Sequence, residues 1–523
     1  MDLITEPWLP IVSRSGEKKK IALSALLDNN IVEVDYPRAD FQGAAWQFLI
    51  GLLQCTVAPE DDEDWQECWV EGINTASWLR ALKALSPAMQ FGSQKPSFLQ
   101  SFETLEGENS IIAGLLIDAP GGNTLKLNKD HFVKRHVTEQ ICPHCAVMAL
   151  FAVQTNSPAG GAGYRVSLRG GGPLTTLVVP TDESRYPLWQ KLWLNVLPQD
   201  TLPDPKDFPA IFPWLAPTKT SEKAGNKVTP ENAHLLQAYW GMPGRIELDF
   251  ERTRAGICDL CGEQHTALLI EMRTKNYGVH YDNWLHPLSP YRQALKDNGA
   301  PRLALKGQPG GLGYKDWLGL VLECEDKFNR TYPAQVVRSF AGRRQGRLPS
   351  VGLWCFAWDM DNAKARCWYQ HRVPLIHSAH GSLFKGVVQQ VISLASAALQ
   401  LLRQKLKEAW FETPAEAKVD FSMTDIAFWQ ETEPAFRQLL AALITDPERQ
   451  SSLTCQAIRQ WENDLHAYLH KAFIREALTD YDCPDDILLR KLKAHHKLER
   501  EYQKHKQRKI LLALADEKEK GNV

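Results

Sequence analysis

The chain has 523 residues, 44% hydrophobic and 23% charged, an ordinary globular composition with room for two or three domains. Its formal net charge of −2 excludes a uniformly basic nucleic-acid binder but leaves room for local blocks of one sign. Met1-Asp2-Leu3-Ile4-Thr5-Glu6 lacks the basic segment of a secretory signal, and the longest apolar run, near Ala44–Ala58, is broken by Gln47 and Gln54 and too short to span a bilayer. A cytoplasmic protein is expected. In that setting its eleven cysteines are not a disulfide framework, and paired CxxC spacings read as metal turns.

Trp8-Leu9-Pro10-Ile11-Val12 opens the chain as a strand or extended segment. Between Ala44 and Val57, Trp46, Leu49, Ile50 and Leu53 fall at helical spacing and predict a buried helix. The acidic block Glu60-Asp61-Asp62-Glu63-Asp64 reads as a solvated turn before the next helix, which starts at Trp65. From Ile112 to Ile141 the pattern loosens. There Lys129, Lys134 and Arg135 surround Phe132, a combination that suits base stacking with phosphate attraction, although an ordinary loop with its Phe tucked inward is the commoner outcome of such a pattern. Leu174–Val179 is β-branched and predicts a strand; Pro198–Pro230 is studded with prolines and predicts an irregular excursion. Arg245–Phe250 alternates as a strand should, and a helix at Tyr314–Leu322 and a strand at Gly352–Ala357 follow.

Past Pro374 the character changes. Phe384, Val388, Val391, Ala395, Ala398 and Leu402 recur at steps of four and three, a seam for packing against other helices. Similar stretches lie around Ile426–Leu443, Leu453–Leu478 and Asp485–Leu514, with breaks marked by Pro414, Pro447 and Pro484. The fold class expected is α+β: a mixed α/β domain over residues 1–374, a four-helix bundle over 375–515 and a disordered tail over 516–523.

The most specific chemical signal is the two CxxC pairs, Cys142/Cys145 and Cys258/Cys261, separated by 112 residues. Two such turns can direct four thiolates at one tetrahedral ion, so the spacing predicts a structural zinc stapling remote parts of one domain; unligated thiols on two turns are the other reading. No βαβ context supports thioredoxin-type redox chemistry. The turn Ala159-Gly160-Gly161-Ala162-Gly163 is not a phosphate loop, because Tyr164-Arg165-Val166 stands where Gly-Lys-Ser/Thr is needed. It offers backbone with few side chains, able to enter a narrow groove or approach another chain. Arg169-Gly170-Gly171-Gly172-Pro173 reads as a structural bend. No nucleophile elbow, H-E-x-x-H motif or cluster of carboxylates marks a catalyst. The histidines of His286-Pro287 and His495-His496 read as isolated. Basic character gathers at Arg338, Arg343, Arg344 and Arg347, and again from Arg490 to Lys509, where nine Lys/Arg oppose Glu499 and Glu501. The second run is either a solvated helix face or a phosphate contact.

At these residues the chain resembles the CasA family, the large subunit of Cascade, the type I-E CRISPR surveillance complex. The resemblance runs through Leu3-Ile4-Thr5-Glu6-Pro7-Trp8-Leu9-Pro10, the stretch from Phe132 to Cys145, Ala159–Pro173, Cys258-Asp259-Leu260-Cys261, Trp284-Leu285-His286-Pro287-Leu288-Ser289-Pro290 and the final helices. It implies a non-enzymatic role in recognising the protospacer-adjacent motif of foreign double-stranded DNA from the minor-groove side. The residues it implies are a glycine loop at Ala159, Gly160, Gly161, Ala162 and Gly163, a lysine finger at Lys275 or, in the other register, Arg273, and a wedge at Asn362-Ala363. Phe132 and Lys134 fall in the family's DNA-contacting loop. The implied partners are the other Cascade subunits, guide RNA, and a helicase–nuclease recruited after R-loop formation, with the bundle guiding the displaced strand. A zinc-stabilised assembly subunit that reads no DNA and a zinc-dependent nuclease are the competing classes.

Overall fold

The computed structural model describes every residue except 108, 129–134, 159–164, 224, 297–298, 327, 344–347, 362, 376–380, 446–451, 480–482 and 520–523. The chain divides into two compact units, Met1–Gln308 with Glu325–Leu375, and Pro309–Cys324 with Ile376–Val523.

The first unit is built on the helix Ala39–Thr56, which begins after Pro37-Arg38 and is buried along almost its whole length. Phe48, on its inner face, meets the rings of Trp8, Phe98, Phe151 and Trp240 edge-on at 5.6–5.9 Å. Four distant segments thus share one aromatic centre, in the geometry the ring quadrupole favours. The two glutamines that interrupt the apolar run are buried anchors. Gln54 donates to the Leu197 carbonyl and accepts from the Leu197 amide, both at 2.8 Å. Gln47 accepts a 2.6 Å bond from the buried guanidinium of Arg169.

The acid block has a sharper job than a solvated turn. Asp61 caps the helix Asp62–Glu71, its carboxylate accepting from the amides of Glu63 and Asp64, and Asp62, Glu63 and Asp64 fill the first turn where the helix dipole favours them. Around this core lie small antiparallel sheets. Thr175–Pro180 is buried throughout and pairs with Val351–Asp361, which pairs in turn with Lys364–Pro374 to make a long hairpin. A second sheet orders Ser110–Ile111, Glu271–Lys275 and Arg245–Leu248, and next along the chain stands the two-stranded hairpin Thr253–Ile257 and Gln264–Leu269.

The second unit holds the helices Gly381–Trp410, Ser422–Thr445, Ser452–Ala477 and Asp485–Lys504. The expected seam is buried at Val388, Val391, Ala395, Ala398 and Leu402. The fourth helix stops where His505 turns extended and resumes as Lys506–Glu519, so residues 516–519, expected in a disordered tail, are helical. The helix Tyr314–Val321, placed by sequence in the first domain, groups with this second unit. Its Tyr314 ring stacks on Phe436 at 4.5 Å, and its Trp317 meets the same ring edge-on.

Replacing Phe48 by Ala is expected to destabilise the first unit by about 3–5 kcal/mol, because four rings lose their common neighbour and cannot all collapse inward. Urea denaturation followed by tryptophan fluorescence measures it.

Candidate metal centre and nucleic-acid interface

Each cysteine turn is shaped by its own backbone. Cys142 is the N-cap of the helix Pro143–Asn156, with Pro143 in the first turn and its sulfur accepting from the Cys145 amide at 3.4 Å. Cys258 and Cys261 sit at the tip of the hairpin Thr253–Ile257/Gln264–Leu269, closed by Gly262 N–H to the Cys258 carbonyl and Cys258 N–H to the Glu263 carbonyl, both 2.9 Å.

A clasp of hydrogen bonds joins the turns. Ile141 and Leu269 exchange backbone bonds of 3.0 and 2.8 Å, and Asp259 N–H donates to the Gln140 carbonyl at 3.0 Å. The Asp259 carboxylate accepts from the amides of Glu139 at 2.7 Å and Gln140 at 2.9 Å. The Cys142 amide donates to the Cys258 sulfur at 3.2 Å.

The four sulfurs lie within 4.8 Å of one another, and Cys142 and Cys261 are 3.8 Å apart. Four thiolates about 2.3 Å from one ion stand about 3.8 Å apart along the tetrahedron's edges, so this donor set fits a divalent metal. The thiols share protons unevenly. Hydrogen bonds from Cys142, then Cys145 and Cys261, hold the Cys258 thiol far below its ordinary value, and the Cys142 bond draws Cys261 down to about 6. Cys145, donor to Cys142, Cys258 and Cys261, is pushed up. A cation at the centre would take the place of the protons these thiols share. His144 and His265 face each other edge-on at 5.4 Å beside the cluster. Burial, with Lys20 nearby, lowers His144 to about 4.

Of the residues singled out for DNA, Phe132, Lys134, Ala159, Gly160, Gly161, Ala162, Gly163 and Asn362 lie outside the described residues. Lys275 ends the strand Glu271–Lys275 opposite Arg245, and its exposed side chain has no partner among the described residues. Arg273, two residues earlier, is held instead: its Nε donates to Asn109 at 2.9 Å, and its Nη2 reaches Asp249 at 3.5 Å. Ala363 is exposed at the end of the long hairpin, where Asp361 pairs with Lys364.

The segments flanking these positions touch. Arg165, just past the glycine segment, donates from Nε to Ser221 Oγ at 2.6 Å, and that hydroxyl donates to the Gly278 carbonyl at 2.7 Å. Gly278 closes the turn after Lys275 and passes so near Pro243 that a Cβ would lie 1.8 Å from its carbonyl oxygen. On the other side, Pro158 packs on Gly171, and Gly172, at φ +59°, approaches the Trp358 carbonyl of the long hairpin so closely that a Cβ would lie 2.4 Å away. The bend read from Arg169–Pro173 therefore packs between Pro158 and the long hairpin. Its Arg169 is buried and donates to Thr175 and Ser289 at 3.0 Å as well as to Gln47.

Of the first basic cluster, Arg338 is exposed and Arg343 is drawn into the core. Arg343 is buried 4.1 Å over the Trp65 ring and donates to Asp62 at 2.9 Å, while Arg344 and Arg347 lie outside the described residues. The second run is partly neutralised: Arg508 donates to the buried Glu462 at 2.7 Å, and Lys497 reaches Glu408 at 3.3 Å. Lys493, Arg500 and Lys504 stay exposed and, with Lys497, line one face of the fourth helix at steps of four and three. No helix among the described residues is long and apolar enough to cross a membrane.

Residues 2–472 match the family described as CRISPR-associated protein Cse1. The fold is similar to that of Thermobifida fusca Cse1, with a TM-score of 0.72 at 16% identity over 96% of this chain and 98% of that one. Thermus thermophilus CasA gives a TM-score of 0.67 at 15% identity, over 96% of this chain and 99% of that one. A chain of a CRISPR RNA-guided surveillance complex gives 0.69 at 15% identity, with the same coverage.

Ser221→Ala removes both the acceptor for Arg165 and the donor to Gly278. A local loss of about 1–3 kcal/mol is expected, read as faster hydrogen–deuterium exchange in peptides covering Lys275–Val279, with exchange at the cysteine turns unchanged.

Proposed function

The chain belongs to the CRISPR-associated Cse1 family, and we propose that it serves as the large subunit of a type I-E Cascade, scanning double-stranded DNA in the cytoplasm on behalf of a guide RNA. In this reading it turns over no substrate. It recognises the protospacer-adjacent motif from the minor groove, helps the guide begin R-loop formation, and recruits the helicase–nuclease that follows. Ala159–Gly163 would be the backbone that enters the groove, Lys275 the probe, and Asn362-Ala363 the wedge, with Phe132 and Lys134 on an adjoining contact loop.

The observation that carries this reading is the Arg165–Ser221–Gly278 link. It ties the exit of the glycine segment to the turn behind Lys275, while Pro158 and Gly172 tie its entry to the hairpin that ends at Ala363. Groove reading needs such a common footing, because a probe and a wedge must meet one duplex in fixed register. Lys275 suits the part better than Arg273, whose guanidinium is already engaged by Asn109 and Asp249. Minor-groove edges present mainly acceptors, so an ammonium probe there tolerates several motif sequences. Sequence discrimination then passes to pairing with the guide. The exposed cations of the fourth bundle helix support a path for the displaced strand along that face.

Cys142, Cys145, Cys258 and Cys261 would hold zinc, which in such a closed four-sulfur set supplies a crosslink and no open coordination position for catalysis. Elemental analysis of the native protein is expected to give about one zinc per chain from this set, lost in a Cys142→Ser/Cys258→Ser variant. A native protein with no metal at these sulfurs would sink the assignment.

The decisive test is motif-dependent duplex binding by the reconstituted complex. Lys275→Ala is expected to cost about 1–3 kcal/mol of binding to a motif-bearing duplex, and adding Gly160→Asp to abolish the motif dependence. Guide RNA should still copurify with both variants. Unchanged motif dependence in the double variant would instead favour an assembly subunit that reads no DNA, and DNA cleavage by the purified subunit with added divalent metal would favour the nuclease.

A further inference from the structure

Four side chains on two bundle helices converge at a place that the scanning function does not use. His466 and His470 are one helical turn apart on Ser452–Ala477; His495 and Glu499 are one turn apart on Asp485–Lys504. On a helix such pairs project side by side from one face, so two of them on facing helices bring four donors together. The sequence signal was the repeated four-residue step, hidden because His495-His496 reads as a lone dipeptide.

The geometry is specific. His495 Nε2 and His470 Nδ1 are 2.9 Å apart, with His470 Nδ1 3.5 Å from Glu499 Oε1. That carboxylate oxygen is buried and has no hydrogen-bond partner among the described residues, while its twin, Oε2, is held by His466 Nε2 at 2.6 Å. His466 is itself fixed by stacking on Tyr502 at 5.2 Å, and His495 lies against Phe473 at 5.2 Å. Donors bound about 2.0–2.1 Å from one tetrahedral ion stand roughly 3.3 Å apart, and the two measured separations bracket that value. The His470 side chain is 52% exposed, which leaves a way in for the ion and a fourth position for water.

We propose that His470, His495 and Glu499 form a second, solvent-accessible site for a borderline divalent transition metal, oriented by His466 through the other carboxylate oxygen and clipping the third bundle helix to the fourth. Two imidazoles with one carboxylate suit zinc, cobalt, nickel or copper; magnesium and calcium prefer all-oxygen sets. On binding, the ion takes the place of the proton between His470 and His495, and the ring that gave it up takes a proton from water on its other nitrogen, so both imidazoles ligate in the neutral form with no net proton released. An anion is disfavoured because Glu499 stands at the centre. Three N/O donors with an open fourth position hold an ion less tightly than the closed four-sulfur set, so binding here is reversible.

The test is a cobalt titration of the full-length protein after zinc loading of its cysteines. Wild type is expected to take up about one further ion with weak visible bands and no thiolate charge-transfer band in the near ultraviolet. His470→Gln and His495→Gln should remove those bands. His466→Gln should weaken uptake roughly 10–100-fold, as loss of an orienting partner does, and the neighbouring His496→Gln should leave it unchanged. Circular dichroism checks that the bundle persists in each variant. Absence of uptake by wild type, uptake showing only the thiolate spectrum, or bands that survive in a folded His470→Gln/His495→Gln double variant would each overturn the proposal.

Discussion

Two turns separated by more than a hundred residues are held together by a clasp made entirely of polypeptide. Ile141 pairs with Leu269, and the Asp259 carboxylate covers the amides of Glu139 and Gln140. Closing so long a loop costs several kcal/mol of chain entropy, and burial of Leu268, Leu269 and Ile141 helps to offset it. From this clasp, one arm runs through the helix Pro143–Asn156 to the glycine segment and the other through Glu271–Lys275 to the lysine. Both arms end near Ser221, whose hydroxyl closes the circuit between Arg165 and Gly278. Arg165 and Gly278 thus stand on the far side of a loop whose near side is the cysteine centre.

Periodicity made much of the scaffold legible. The buried helix around Trp46–Leu53, the strands at Arg245 and Leu174, and the seam from Val388 to Leu402 carry patterns that burial against one face imposes directly. The cysteine pairs were legible too, since ligand spacing is a local property of each turn. What did not show was any feature set by tertiary partners. The helix Tyr314–Val321 reads the same whichever unit it joins, and its place is decided by Phe436 and Trp429 more than a hundred residues later. Likewise the stop at His505 lies inside one continuous helical pattern.

Charge was the least legible quantity. Gln47 and Gln54 look like interruptions of an apolar run, yet they satisfy Arg169 and the Leu197 backbone inside the core. Arg343 and Arg508 look like members of basic patches, yet one is sandwiched between Trp65 and Asp62 and the other is bound by buried Glu462. A buried cation without a partner is too costly to persist, so charges drawn inward find acceptors that a linear count cannot see. The same reasoning separates Lys275 from Arg273. The resemblance offers both as fingers, but the Arg273 guanidinium is already engaged by Asn109 and Asp249.

The division of labour around the cysteines follows from which bonds are independent of an ion. The backbone pairs at Ile141–Leu269 and Asp259–Gln140, together with the Arg165–Ser221–Gly278 link, need no metal. A crosslink acts largely by narrowing the unfolded ensemble, and its effect grows with the loop it closes. The contribution of an ion at the four sulfurs would therefore lie mainly in stability. The link between Arg165 and the turn after Lys275 rests on Ser221. Under the proposed function, metal content and DNA reading are for that reason separable: a chain that lost its cysteines would keep that link, provided that its core made good the lost crosslink.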